Sequence, residues 1–176
     1  MPIDIEAPGA SEADLQRALS NLMEFRGCRV RLNADKTAIN LTTEQAINMD
    51  VADFDTDGFW SAGTPARITI PEGKGITYAE LTGHVAVSLS TGDSTFTTCI
   101  RHRNSSGTLL REYGLRFIEK GITVVMMQAA TGPVAVSAGD YFELTAREET
   151  DTSVTITGVG TGITTFALRV VGMNPV

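Results

Sequence analysis

The sequence predicts an all-β sandwich or barrel that follows a short N-terminal arm and a helix. Polar and apolar residues alternate in several short segments after residue 27, which is the pattern of half-buried strands. Turn-forming Gly, Asn, Asp and Pro residues separate these segments at short intervals, as they do in antiparallel sheets. The 176 residues suffice for one domain and an appendage, which we place at residues 28–176 and 1–27.

The first 27 residues predict an extended arm followed by a helix. Pro2, Pro8 and Gly9 make residues 1–10 unfavourable for a packed element, so we expect an arm without a core of its own. Ser11 is a favourable N-cap, and apolar residues recur at helical spacing after it. The apolar residues that would form the docking face of this anchor helix are Leu15, Leu19, Leu22 and Phe25.

A helix of about 15 residues is marginal by itself in water, so the predicted helix must pack against something. Three partners fit it: the barrel of the same chain, two further copies of the helix around a trimer axis, or a larger assembly to which it anchors the chain. The segment is also acidic, because residues 1–24 hold five acidic residues and one basic residue, a net charge of −4. An anionic segment suits a basic groove on a partner.

The clearest strand runs from Ile76 to Leu89, because polar and apolar residues alternate along it. Gly83 lies in its middle, where a glycine permits a close approach of two backbones or a bulge. Alternate residues of a strand share a face. The residues that we expect to face the core are Ala79, Leu81, Gly83, Val85, Val87 and Leu89.

Three further segments supply apolar positions. Alternation predicts a core-facing set at Phe142, Leu144 and Ala146, and a second set at Phe166, Leu168 and Val170. The run from Ile122 to Met127 is apolar on both faces. Such a run fits either a central strand or a strand that a neighbouring subunit covers.

Five short motifs occur in a characteristic order after residue 50. They are Asp55-Thr56-Asp57-Gly58-Phe59, Arg67-Ile68-Thr69-Ile70-Pro71, Gly75-Ile76-Thr77-Tyr78, Ala138-Gly139-Asp140-Tyr141 and Phe166-Ala167-Leu168-Arg169-Val170-Val171-Gly172. In this order they resemble the jelly-roll modules of tailed-phage virion proteins, which are similar to tumour-necrosis-factor and complement globular-head domains. The resemblance covers about residues 30–172 and implies an antiparallel jelly-roll sandwich.

The same resemblance implies a compact homotrimer in which flat apolar strands meet at the threefold axis. Strand phase and resemblance together identify the residues that we expect in or near this trimer interface. They are Tyr78, Met126, Met127 and Tyr141.

Composition and charge exclude several classes of function. The net charge of −7 and the isoelectric point of about 4.8 argue against sequence-independent binding of nucleic acid. No apolar run is long enough to span a membrane, and the N-terminus lacks the order of a secretory signal, so synthesis in a cytosol is expected. Cys28 and Cys99 are expected to be reduced thiols, and no C-x-x-C pair supports a zinc site.

Asp53, Asp55 and Asp57 precede Gly58 in the order D-x-D-x-D-G, which opens many calcium loops. Carboxylates on alternate residues of a turn could present hard oxygen ligands to Ca²⁺. However, the twelfth position counted from Asp53 is Thr64, where a calcium loop needs a bidentate glutamate. We therefore favour a capped acidic turn that leads into a strand, and we predict no cofactor.

The sequence contains no recognisable catalytic motif, and we expect no enzymatic activity. His84 and His102 are the two histidines, and neither accompanies a G-x-S-x-G nucleophile elbow. Ser105 and Ser106 lie in a predicted turn, where serine is common. Polar side chains at the surface or at an interface are the simpler interpretation of both histidines.

A basic stretch surrounds the predicted turn at Asn104–Gly107 and consists of Arg101, Arg103, Arg111 and Arg116. The candidate recognition loop within it is Arg101, His102, Arg103 and Asn104. Such a cluster could bind an acidic protein, a carboxylated sugar or a phosphate. Glu112 and Glu119 are close in sequence, so a solvated hairpin of mixed charge is the favoured alternative.

Two functional hypotheses follow. In the first, the chain is a phage virion structural protein, assembled in the host cytoplasm, that decorates and stabilises the head through the major capsid protein or another virion protein. In the second, it is a fibre-tip or adhesin module that binds a host surface receptor or glycan through exposed loops. A bacterial surface-binding domain is a third possibility, which the missing signal sequence disfavours. Fold analogy by itself does not decide among them.

Overall fold

The computed structural model describes residues 25–39, 41, 43–89, 95–118, 124–148, 154–160 and 162–173. Within these ranges all regular secondary structure is β-strand, and they contain no helix that could cross a membrane. The thirteen strands are β1 (Gly27–Arg31), β2 (Lys36–Ile39), β3 (Gln45–Ala46), β4 (Val51–Asp55), β5 (Ile68–Thr69), β6 (Ile76–Leu89), β7 (Phe96–Arg103), β8 (Leu109–Ile118), β9 (Val124–Ala130), β10 (Val134–Ala135), β11 (Tyr141–Glu148), β12 (Val154–Ile156) and β13 (Thr165–Met173).

The strands form two antiparallel sheets. Sheet A has the order β2-β12-β6-β13-β1-β4. Strands β9 and β10 pair with the edge of β6 that lies opposite to β13. Sheet B has the order β3-β11-β7-β8, and β5 pairs with β11 on the same edge as β3. The long strand β6 is therefore the centre of sheet A, and β11 and β7 form the centre of sheet B.

The two sheets pack face to face around one apolar core. On β6 the predicted inner face is buried, with Ala79, Leu81, Val85 and Val87 each at most 1% exposed. On the other strands the predicted inner residues Phe142, Leu144, Ala146, Phe166 and Leu168 are also at most 1% exposed. Val170 is partly buried and packs against this core. The prediction of an all-β antiparallel sandwich is confirmed.

The structure describes the apolar run Ile122–Met127 from Val124 onward, and this part forms the beginning of strand β9. Within the described part of the chain β9 pairs only with β6, so it is not a central strand. Met127 lies opposite Val85 and is 2% exposed, whereas Met126 points outward and is 60% exposed. Met127 belongs to the core of its own chain, and its prediction as a trimer-interface residue is wrong.

The predicted anchor-helix residues Leu15, Leu19 and Leu22 lie outside the described residues. Phe25, the last member of that set, is described and is not helical: it has no regular secondary structure and lies two residues before strand β1. Its side chain is 53% exposed, and its ring packs edge-on against Phe54 with 5.4 Å between the ring centroids. Phe25 is thus a surface residue at the edge of sheet A.

Candidate interaction surfaces

The acidic turn after β4 is organised by one carboxylate. Asp55 Oδ1 accepts hydrogen bonds from the backbone N–H groups of Gly58 and Phe59, both at 2.9 Å, and Oδ2 accepts one from Trp60 at 2.9 Å. Gly58 has a φ of 81°, a conformation that suits glycine. The turn places the Phe59 ring in the core, where it is 1% exposed. Asp55 is therefore a backbone cap.

The other two carboxylates of the motif bind cationic side chains. Asp57 receives Arg26 Nη2 at 2.6 Å, and this guanidinium lowers the pKa of Asp57 from its usual 3.8 to about 2. Asp53 instead pairs with Arg29 at 3.0 Å and Arg31 at 2.7 Å. The three carboxylates do not converge on one point, so the calcium hypothesis for this turn is not supported.

Elsewhere in the described ranges, one group of potential metal ligands comes together, at Glu44, Cys99 and Glu112. The guanidinium of Arg101 lies between the two carboxylates of this group, since it pairs with Glu44 and, at 2.8 Å, with Glu112. Burial and then the nearby Glu44 carboxylate raise the pKa of the Cys99 thiol to about 12, so it stays protonated. The cluster is a network of ion pairs, and neither Cys99 nor the buried Cys28 forms a disulfide.

The candidate recognition loop is not a loop, because Arg101, His102 and Arg103 belong to β7. His102 is 3% exposed, lies 3.1 Å from the carboxylate of Asp140, and stacks on Phe142 with 4.4 Å between ring centroids. Strand alternation turns His102 into the sandwich and its two arginine neighbours outward. The prediction of His102 as a recognition residue is therefore wrong.

The remaining members of that candidate set hold the structure together locally. Arg103 pairs with Glu143 at 2.8 Å and donates a hydrogen bond to the carbonyl oxygen of Gly107 at 2.9 Å. Asn104 begins the turn after β7, and its Oδ1 accepts hydrogen bonds from the backbone N–H groups of Ser106 and Thr108. The favoured alternative, a hairpin of mixed charge, describes this region better than a basic recognition loop.

The outer face of sheet B, the side away from the core, carries charged side chains in pairs. Arg101 lies between Glu44 and Glu112, and Arg103 pairs with Glu143. A second sheet approaching this face would have to remove water from these ion pairs, which is costly.

The same face carries Tyr141, the predicted interface residue on β11. The guanidinium carbon of Arg67 lies 4.9 Å from the centroid of the Tyr141 ring, so a cation of the same chain already covers that ring. Tyr141 therefore lies on the charged face of the molecule.

The outer face of sheet A is different, because small uncharged residues occupy its centre. Thr82 in β6 lies between Ala130 of β9 and Ala167 of β13. One step further along β6, His84 lies between Gln128 and Thr165, and the Thr165 hydroxyl is 3.4 Å from His84 Nδ1. Charged residues border this centre, because Arg29 pairs with Ala167, and Glu80 and Arg169 pair with each other at the next outward-facing positions. Arg31 lies further along β1.

The four predicted trimer-interface residues thus fall into different environments. Tyr78, 48% exposed, and Met126, 60% exposed, share the outer face of sheet A. Met127 lies in the core, and Tyr141 lies on the charged outer face of sheet B. Only the first two remain candidates for one common surface.

Two structurally important acidic residues escaped the sequence analysis. Asp140 accepts hydrogen bonds from buried His102 and from the N–H of Ser137 at 3.0 Å, and Glu44 joins Arg101 to the Cys99 and Thr145 side chains. Asp140 lies inside the A-G-D-Y motif, which was the available signal for it. Glu44 is 55 residues from Cys99 in sequence, and no local pattern marks it.

Comparison with solved structures places this architecture in a known fold. The globular domain of zebrafish complement 1qA protein is 13% identical, with a TM-score of 0.56 over 86% of this chain and 100% of that one. Murine APRIL is 9% identical, with a TM-score of 0.58 over 84% of this chain and 100% of that one. The likeness shows a jelly-roll fold of the complement globular-domain type. No protein-family model and no curated protein matches the sequence.

Proposed function

We propose that the chain is a non-enzymatic virion structural protein, a homotrimeric jelly-roll module on the outside of a phage particle that decorates and stabilises the head. The phage assignment draws on the order of the five motifs in the sequence. The trimer assignment draws on the resemblance and on the contrast between the outer faces of the two sheets. That contrast is the observation that carries the proposal.

Sheet A offers the surface that copies of the chain would share. Thr82, Ala130 and Ala167 at its centre are uncharged, so removing water from them costs little. Exposed Met126 adds apolar area, which stabilises an interface by roughly 25 cal/mol per Å² buried. A stable interface needs about 800 Å² per partner, which this centre and the residues around it would have to supply.

Ala130→Arg is expected to convert the trimer to a monomer. Ala130 is exposed at the centre of the proposed interface, where the arginine of each copy would be buried without a partner. Light scattering at micromolar concentration should give three times 18.8 kDa for the unchanged chain and 18.8 kDa for the variant. Circular dichroism should show that the variant remains folded.

Ala138→Arg is the matched control, because Ala138 is also exposed but lies in the turn before β11. This variant should keep the trimer mass. A monomer mass for the unchanged chain would overturn the trimer. A trimer mass for Ala130→Arg would show that the interface does not use the outer face of sheet A.

The position on the particle is tested by counting copies in purified virions with quantitative mass spectrometry. A number that scales with the major shell protein is expected for a head decoration protein. A few trimers per particle would favour the fibre-tip or adhesin function instead. Absence from particles would contradict both phage functions and favour a free-standing binding domain.

A further inference from the structure

Large apolar side chains are concentrated at one end of sheet A. Of the ten large apolar residues exposed in the described ranges, five lie there. We call them the N-terminal patch: Phe25, Phe54, Tyr78, Val171 and Met173. Their exposed fractions are 53%, 39%, 48%, 39% and 44%. Exposed apolar groups that cluster in this way mark a contact surface, whereas scattered ones do not.

The patch residues come from the three strands β4, β6 and β13 and from the segment before β1. Phe25 contacts Phe54, and the adjacent Arg26 donates a hydrogen bond to the Met173 sulfur at 2.9 Å. Tyr78 pairs with Gly172, the residue between Val171 and Met173. A side chain at Gly172 would come within 2.9 Å of the Tyr78 ring, so glycine there lets the ring lie flat against β13. These contacts bring exposed apolar side chains of neighbouring strands to the same end of sheet A.

The chain enters the sandwich at this patch. Phe25 is both the first described residue and a member of the patch, and the backbone carbonyl of Arg26 accepts a hydrogen bond from Val170 at 2.9 Å. Twenty-four residues precede Phe25, and their sequence predicts an amphipathic helix whose apolar stripe ends at Phe25 itself. The stripe and the patch therefore meet at one residue.

We propose that residues 11–24 of the same chain cover the N-terminal patch through Leu15, Leu19 and Leu22. A short helix is marginal without a partner, and the apolar side chains of the patch are exposed in the described part of the chain. Tethering gives the segment an effective concentration on the order of millimolar at the patch. A second copy at micromolar concentration competes poorly with such a segment. The docked helix would leave the acidic side chains of the segment free for the particle.

Hydrogen exchange of the full-length chain tests the docking. The amides of residues 11–24 should exchange at least ~10-fold more slowly than those of an unfolded chain, since docking stabilises the helix. Tyr78→Asp or Phe54→Asp should each remove about tenfold of that protection, because each puts a charge under the apolar stripe. Leu110→Asp is the matched control: Leu110 is 52% exposed but lies on β8 of sheet B.

The variant Ala130→Arg separates this docking from assembly. Protection of residues 11–24 should persist in that variant and should not depend on protein concentration. Protection that vanishes in it, or that grows with concentration, would show that another copy covers the patch. Absence of protection in the unchanged chain, or protection that Tyr78→Asp and Phe54→Asp leave intact, would overturn the proposal. The mass measurements remain an independent readout of the trimer.

Discussion

Asp55→Ala is expected to lower the free energy of unfolding by about 3 kcal/mol, one of the largest effects of any substitution of a partly exposed residue. The substitution removes the acceptor for four backbone N–H groups, those of Gly58, Phe59 and Trp60 and, at 3.4 Å, that of Asp57. Water can replace only part of these bonds, because Phe59 is buried and Trp60 is partly buried beneath the turn. Chemical denaturation followed by tryptophan fluorescence measures the change, since Trp60 is the single tryptophan.

Asp53→Ala is the matched control and should cost less than about 1 kcal/mol, because exposed ion pairs contribute little. Asp53 pairs with Arg29 and Arg31, whose side chains are 51% and 33% exposed. Addition of Ca²⁺ should not change the free energy of unfolding of either variant or of the unchanged chain. Equal losses in the two variants, or stabilisation of the unchanged chain by Ca²⁺, would contradict a purely capping role for Asp55.

The sequence was sufficient to predict the buried face of those strands in which polar and apolar residues alternate. On β6 the alternation around Gly83 identified the buried face correctly, as it did at Phe142 and Phe166. The pattern of burial in such strands can be read from local sequence, since each side chain points to the face opposite to that of its neighbours. The order of the motifs then indicated how the strands are arranged, and the solved structures bear out that fold.

Sequence reasoning failed where the neighbours of a residue come from another strand. Met126 and Met127 are the same residue type within an apolar run, so only the pairing of Met127 with Val85 decides which of them is buried. His102 stands between two arginines in sequence, yet its environment is set by Phe142 and by Asp140, which is 38 residues away. The strand register therefore shows that the residues of the candidate recognition site make separate structural contacts and do not form one site.

At Gly83 the two sheets lie close together, so the packing between them is sensitive to the size of the side chain at this position. A Cβ atom at Gly83 would overlap Cδ1 of Leu144 and lie 3.1 Å from its Cδ2. Leu144 is fully buried in sheet B and has no room to withdraw. Gly83→Val is therefore expected to cost about 2–3 kcal/mol through overpacking. Leu144→Ala should cost about 2–5 kcal/mol through the cavity that it leaves.

The double variant Gly83→Val with Leu144→Ala should be more stable than the sum of the two losses implies, by about 1–3 kcal/mol. Valine at position 83 would fill the space that leucine vacates, so each change relieves the defect of the other. Gly132→Val is the control, since no atom lies within 4 Å of a Cβ there, and it should stay within about 0.5 kcal/mol of the unchanged chain. Strictly additive losses would mean that Gly83 and Leu144 do not touch across the sandwich.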